Sequence, residues 1–307
     1  MEIKSSADFV RMTRAALTAA GFVRHELDGT IYFSGGVTPH PPFASLRAPS
    51  PLAEGRRLHD EAADVAFSPP QRGEGGRRPD EGFLVLVHGA NDQAGTWFPI
   101  APALAQSRRI IIPDLPGHGE SAPESGPIPI SLIVQRLTAV IEHAAPSHPI
   151  TLIGNSLGGW IALLYALRNP ERVERLVLES SGGLSRPLSS PLTAQNRDEA
   201  LQILRAVHGP QYEPQEWVID ALLQRASGSP MLRLTELQEH QIESRLGEIN
   251  TPATLIWGAN DGVVPLSYGE ALRDALPHAT MHVIADAAHI PHMQQPARFL
   301  ECLTAIS

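Results

Sequence analysis

The chain reads as an α/β protein, with a mostly parallel central sheet flanked by helices. Three observations predict this. From residue 83 onward, short apolar runs alternate with segments of helical spacing, as repeated strand–helix units do. Phe83–Val87 and Ile110–Ile112 are apolar at successive positions, the pattern of strands covered on both faces. The 307 residues, 42% of them apolar, suffice for one large domain with an insertion or for two small domains.

Residues 1–37 hold a helix over 7–22, with Phe9, Val10, Met12, Leu17 and Phe22 apolar and Arg11 and Arg14 on the opposite side. Gly21 suits its stop, and Gly29–Gly36 reads as a strand between turns. Residues 38–82 are rich in Pro, Gly and Arg, and no period persists there beyond a short helix near Leu58–Val65. Such a composition buries too little apolar area to offset the entropy of ordering, so a disordered, solvated insertion is expected. Residues 83–189 and 247–307 form the core. In it, strands fall at 83–87, 109–113, 150–153, 173–179, 254–257 and 280–284. Helices fall near 97–104, 130–143, 157–167, 267–275 and 295–305. Residues 190–246 break the alternation with helical segments only, at roughly 197–208, 214–227 and 230–246. A helical excursion between two sheet strands predicts a lid over the carboxyl ends of the strands, where open α/β sheets bind ligands.

The net charge of −9 argues against a general nucleic-acid or anionic-membrane binder. The single cysteine, Cys302, cannot form an internal disulfide. No stretch of about 18 apolar residues occurs, and Met1–Ser6 does not begin a secretory signal, so a cytoplasmic protein without an integral membrane segment is expected. The thirteen histidines show no metal-ligand spacing and no nucleotide-binding glycine loop is present; neither a metal nor a cofactor is expected. The oligomeric state is not legible.

The centre of the chain is Thr151–Trp160, read as a buried strand, a sharp turn and a helix with Ser156 at the apex. Gly154-Asn155-Ser156-Leu157-Gly158 is a G-x-S-x-G pattern, in which small neighbours let strand and helix approach and hold the serine in a strained conformation. A serine hydroxyl needs an adjacent base to act as a nucleophile, and the base needs a third group to fix its tautomer. The acid and then the histidine are sought after the serine. Asp261 lies in the turn leaving the 254–257 strand, and His289 lies in the loop leaving the next one. Asp286 is an alternative acid, more simply read as shaping the His289 loop. His282 and His292 read as structural or rim residues.

Residues 83–305 resemble the α/β-hydrolase fold family, in its serine-nucleophile branch. The resemblance rests on His88-Gly89, Asp114-Leu-Pro-Gly-His-Gly-Glu-Ser121, Gly154–Gly158, the Asp261 turn and the His289 loop, in the family's order. It implies an oxyanion hole from the backbone N–H groups of Leu157 and Ala90, with Asn91 ranked behind them. It also implies that His88 braces the oxyanion loop and that Asp114 and His118 form a structural turn. Serine at the elbow sets the chain apart from relatives with an aspartate nucleophile. Gly154–Leu178 and the stretch from Leu246 to Pro265 resemble both monoglyceride-lipase-like esterases and C–C hydrolases of ring-cleavage products. The latter usually carry tryptophan after the catalytic histidine, where this chain has Ile290. The implied activity is hydrolysis of a carboxylic ester, a lipid-like or small acyl ester, through an acyl-enzyme. The alternatives are C–C hydrolysis of a dienoate and a non-catalytic ligand-binding role. Tyr212, Trp217, Leu222 and Met231 are candidates for the acyl pocket, and packing of the lid accounts for them equally well.

Overall fold

The structure, a computed structural model, describes residues 5–36, 82–225 and 228–304. Its strands in chain order are β1 (Val23–Leu27), β2 (Thr30–Gly35), β3 (Phe83–Val87), β4 (Arg109–Pro113), β5 (Ile128–Pro129), β6 (Ile150–Asn155), β7 (Val173–Glu179), β8 (Leu234–Thr235), β9 (Ala253–Gly258) and β10 (Ala279–Ile284). Eight of them form one sheet in the order β1-β2-β4-β3-β6-β7-β9-β10, and the short β5 and β8 pair separately. Strand β2 runs antiparallel to β1 and β4; every other pairing in the large sheet is parallel. The expected α/β fold with a mostly parallel sheet is the fold observed.

Both faces are covered. Val85, Val87, Leu152, Leu255 and Trp257 pack under α3 (Ile130–Ala144), α4 (Leu157–Arg168) and α8 (Leu266–Ala275). The alternate residues Leu84, Leu86, Ile153, Val177 and Ile256 point to the other face. There they meet α1 (Ser6–Ala19), the turn leading into α2 (Ala101–Leu104), and α10 (Pro296–Thr304). This two-sided burial is why the central strands read as continuous apolar runs.

Three details differ from expectation. Arg14 is buried, not on a solvent face of α1; it reaches Asp114 Oδ2 at 2.5 Å and Glu120 Oε1 at 2.8 Å, and its guanidinium lies over Phe33. A buried guanidinium is tolerated because it is paired. Strand β1 was not foreseen, since this edge strand, Val-Arg-His-Glu-Leu, buries no side chain fully and carries no apolar pattern. In the excursion between β7 and β9, α5 (Arg197–His208) and α6 (Glu216–Arg225) form near the expected positions, but no helix spans 230–246. That stretch holds only the one-turn α7 (Pro230–Arg233), β8 and a 3₁₀ segment, Glu243–Glu248. Arg233 donates to the carbonyls of Pro123 and Gly126, Leu234 pairs with Ile128, and Glu236 at φ 63° cannot continue a helix.

The Pro-rich segment lies outside the described residues except for Gly82. Its flanking strands lie on either side of β4 and end and begin beside the same end of it, where Gly35 faces Ile110 and Phe83 faces Arg109. No helix among the described residues is long and apolar enough to cross a membrane.

Candidate active site

Ser156 sits between β6 and α4 at φ 54° and ψ −114°. A non-glycine residue there costs roughly 1–3 kcal/mol, so the surroundings must enforce it. They do so through the main chain: Ser156 N–H donates to Glu179 O at 2.9 Å, and Ser156 O accepts from Gly182 N at 3.0 Å. The two pattern glycines are required by contact. A Cβ on Gly154 would lie 2.4 Å from Gly158 O, and one on Gly158 would lie 2.2 Å from Val87 O.

The acid and the histidine come from the ends of neighbouring parallel strands. Asp261 follows β9, and its Oδ1 accepts from the N–H groups of Val263 and Val264, both at 2.9 Å. His289 follows β10, and its Nδ1 lies 3.0 Å from Asp261 Oδ2 and 3.1 Å from Oδ1. A carboxylate accepts and does not donate, so Nδ1 carries the hydrogen and Nε2 is left as a base. The Asp261 carboxylate is fully buried and the His289 side chain is 9% exposed. The backbone of His289 is gripped on both sides: its N–H donates to Val207 O, and its carbonyl accepts from Asn155 Nδ2, both at 3.0 Å. Among the described residues, no hydrogen bond or ion pair joins Asp286 to His289; the Asp286 carbonyl accepts from Gln295 Nε2.

Ser156 and His289 line one cavity, together with Ala90, Tyr212 and Trp217. Among the described residues, no hydrogen bond joins the Ser156 hydroxyl to His289. Leu157 is the first residue of α4, so its N–H belongs to the helix end that lacks intrahelical partners. Ala90 follows His88, whose Nδ1 donates to Gly89 O at 2.7 Å and whose Nε2 accepts from Leu115 N at 2.9 Å. His88 therefore braces this loop with both ring nitrogens engaged. Asn91 Oδ1 accepts from Ser229 Oγ at 2.6 Å. Leu222 also lines the cavity. Met231 does not: it packs against the main core, and its N–H donates to Asn91 Oδ1, because α7 is a single turn tied to that loop.

Four residues near the site were not singled out from the sequence. Glu179, ending β7, accepts from His292 N–H and from His292 Nδ1, both at 2.7 Å, and both side chains are fully buried. His292 also stacks on Trp97, its ring centroid 4.1 Å away. The hint for Glu179 was a carboxylate directly after the apolar run Leu176–Leu178. His208, at the end of α5, lines the cavity with its Nδ1 buried and unpartnered. Burial lowers its pKa from 6.5 to about 4, with His289 adding to the shift. Gln294 and Asn155 contact the His289 loop, and nothing in their residue type announced it.

A model of the alpha/beta hydrolase family matches residues 84–301, well over half of the chain. The pimeloyl-[acyl-carrier protein] methyl ester esterase of Nitrosomonas europaea is 28% identical over 260 residues, covering 75% of this chain and 96% of its own. The 2-hydroxy-6-oxo-6-phenylhexa-2,4-dienoate hydrolase of Burkholderia cepacia is 28% identical over 230 residues, covering 67% of this chain and 80% of its own. The solved structure of a bacterial membrane phospholipase A is similar with a TM-score of 0.71 at 21% identity, covering 98% of this chain and 92% of that one. At that identity the likeness is one of fold. With the sheet order, the strained serine elbow and the acid and histidine loops, these matches show that the chain belongs to the alpha/beta hydrolase family.

Proposed function

We propose that the chain is a serine hydrolase that cleaves a carboxylic ester through an acyl-enzyme, with Ser156, His289 and Asp261 as its triad. One observation carries the reading: His289, its Nδ1 held by the buried Asp261, shares a cavity with a serine in a strained elbow. His289 Nε2 takes the Ser156 proton as Oγ attacks the ester carbonyl. The N–H groups of Leu157 and Ala90 receive the oxyanion, each donor supplying roughly 3 kcal/mol of transition-state stabilisation. The imidazolium gives its proton to the departing alkoxide, and the alcohol leaves. Water, deprotonated by His289, then attacks the acyl-enzyme; the acid departs and Ser156 regains its proton. The chain's own groups perform every step.

The helical excursion is assigned as the lid, and the apolar side chains of Tyr212, Trp217 and Leu222 along the cavity favour an apolar acyl group. We place the protein in the cytoplasm with a small-molecule ester as its partner; Cys302, half-buried in α10, is a free thiol. The Burkholderia relative supports a second reading, C–C hydrolysis of a dienoate, and Ile290 after the histidine speaks against it. The two are separated by assaying p-nitrophenyl esters of graded chain length beside a 2-hydroxy-6-keto-dienoate. Ester kcat/KM is expected to exceed dienoate kcat/KM by about 100-fold, which is about 2.7 kcal/mol of differential transition-state binding. A ratio favouring the dienoate reverses the assignment. Inactivity on both points to another acyl substrate or to ligand binding.

A further inference from the structure

The last turn of α5 is tied to the acid and the histidine by an unbroken series of contacts. A helix ends with carbonyls that lack intrahelical partners and usually turn to water or a cap. In α5 three successive ones accept instead from the site: Ala206 O from Gly262 N–H at 3.0 Å, Val207 O from His289 N–H at 3.0 Å, and His208 O from Gln294 Nε2 at 2.9 Å. Gln294 completes the bridge, because its Oε1 accepts from Ala288 N–H at 2.7 Å. Consecutive amides, those of Ala288 and His289, are thus fastened to one helix end, the first through Gln294 and the second directly. The N–H of Gly262, the residue after Asp261, is fastened to the same turn.

We propose that Gln294 is a positioning residue for His289, and that α5 is a fixed clamp on the acid and base, so any opening of the excursion lies beyond it, from α6 onward. This rests on the triad reading above. Two physical arguments support it. The base must hold its place to within about an ångström, since a displacement of that size costs up to about 100-fold in rate. The carboxyl end of α5 also presents partial negative charge toward His289, which favours the imidazolium formed as Ser156 loses its proton.

The test compares Gln294→Met, which keeps the length and removes both hydrogen bonds, with Gln294→Glu, which keeps the acceptor for Ala288 and loses the donor to His208. Active sites are titrated with a phosphonate, so that kcat is read per competent serine. Gln294→Met is expected to lower kcat about tenfold or more with KM within about twofold, and Gln294→Glu is expected to fall between it and the native protein. A merely structural role would reduce the titrated fraction and the unfolding midpoint and leave kcat per site unchanged; kcat within twofold of native in the folded variants overturns the proposal. Should Gln294→Met not fold, Gln294→Glu decides by the same criterion. Hydrogen exchange on the native chain gives an answer independent of any variant: His289 and Gly262 amides exchanging as slowly as those of β9 support the clamp, and exchange as fast as in α6 refutes it. Ser156→Ala serves as the reference. If it stays active the triad reading fails, whereas an inactive Ser156→Ala beside an unaffected Gln294→Met fails this inference alone.

Discussion

His289 and His292 are three positions apart and each meets a carboxyl group, yet their surroundings set different roles. His289 faces the cavity, and its partner Asp261 is itself held in its turn by the N–H groups of Val263 and Val264. His292 is sealed beneath it, bonded to Glu179 and Thr96 and stacked on Trp97. Truncating His292 removes the Nδ1 donor from the buried Glu179 carboxyl, leaving it only the backbone N–H of residue 292, and opens a void beside an indole. His292→Ala should therefore lower stability by about 3 kcal/mol while sparing kcat per folded molecule. Urea unfolding and active-site-titrated kinetics check this; lost kcat at native stability would move the base to His292. The placement of Ser156, Asp261 and His289 in the turns after β6, β9 and β10 was legible because a strand pattern precedes each, buried throughout in β6 and β9 and only partly in β10. Glu179, His208 and Gln294 were not, since their contacts join segments 80 or more residues apart in the chain, or depend on where one helix ends.

At the scale of elements, the excursion between β7 and β9 was legible as helical but not in its last third. Helical spacing over 230–246 lost to Arg233, which reaches the loop after β4, and to Glu236 in a left-handed conformation. Helix α5 also carries a consequence for pH. His208 is buried, with its pKa lowered from 6.5 to about 4, and His118 is lowered by burial from 6.5 to about 3. Both are neutral in the folded chain where the unfolded chain already binds a proton. The unfolded state therefore binds more protons as pH falls below about 6.5, and stability declines until the folded pKa values are passed. Unfolding midpoints should drop between about pH 6.5 and 4, and His208→Gln should flatten part of that drop. A midpoint independent of pH in the native protein, across that window, would contradict the burial of these two rings.

For the whole molecule, the parallel sheet order brings three separate loops to the carboxyl ends of its strands. The elbow after β6 lies two strands from the Asp261 loop after β9, and β10 beside β9 delivers His289. The parallel sheet was legible from its apolar runs, whereas β1 was not, because an edge strand exposed to solvent needs no apolar face. The account stands on Ser156 as the nucleophile, and the direct measurement is ester kcat/KM of Ser156→Ala beside its thermal unfolding midpoint. The Ser156 hydroxyl makes no hydrogen bond among the described residues, so its removal leaves no partner unpaired and the midpoint should stay unchanged. Turnover should fall by a factor of about 1,000 or more. Retention of activity within about tenfold of native by the folded variant would contradict the nucleophile assignment and the acyl-enzyme with it.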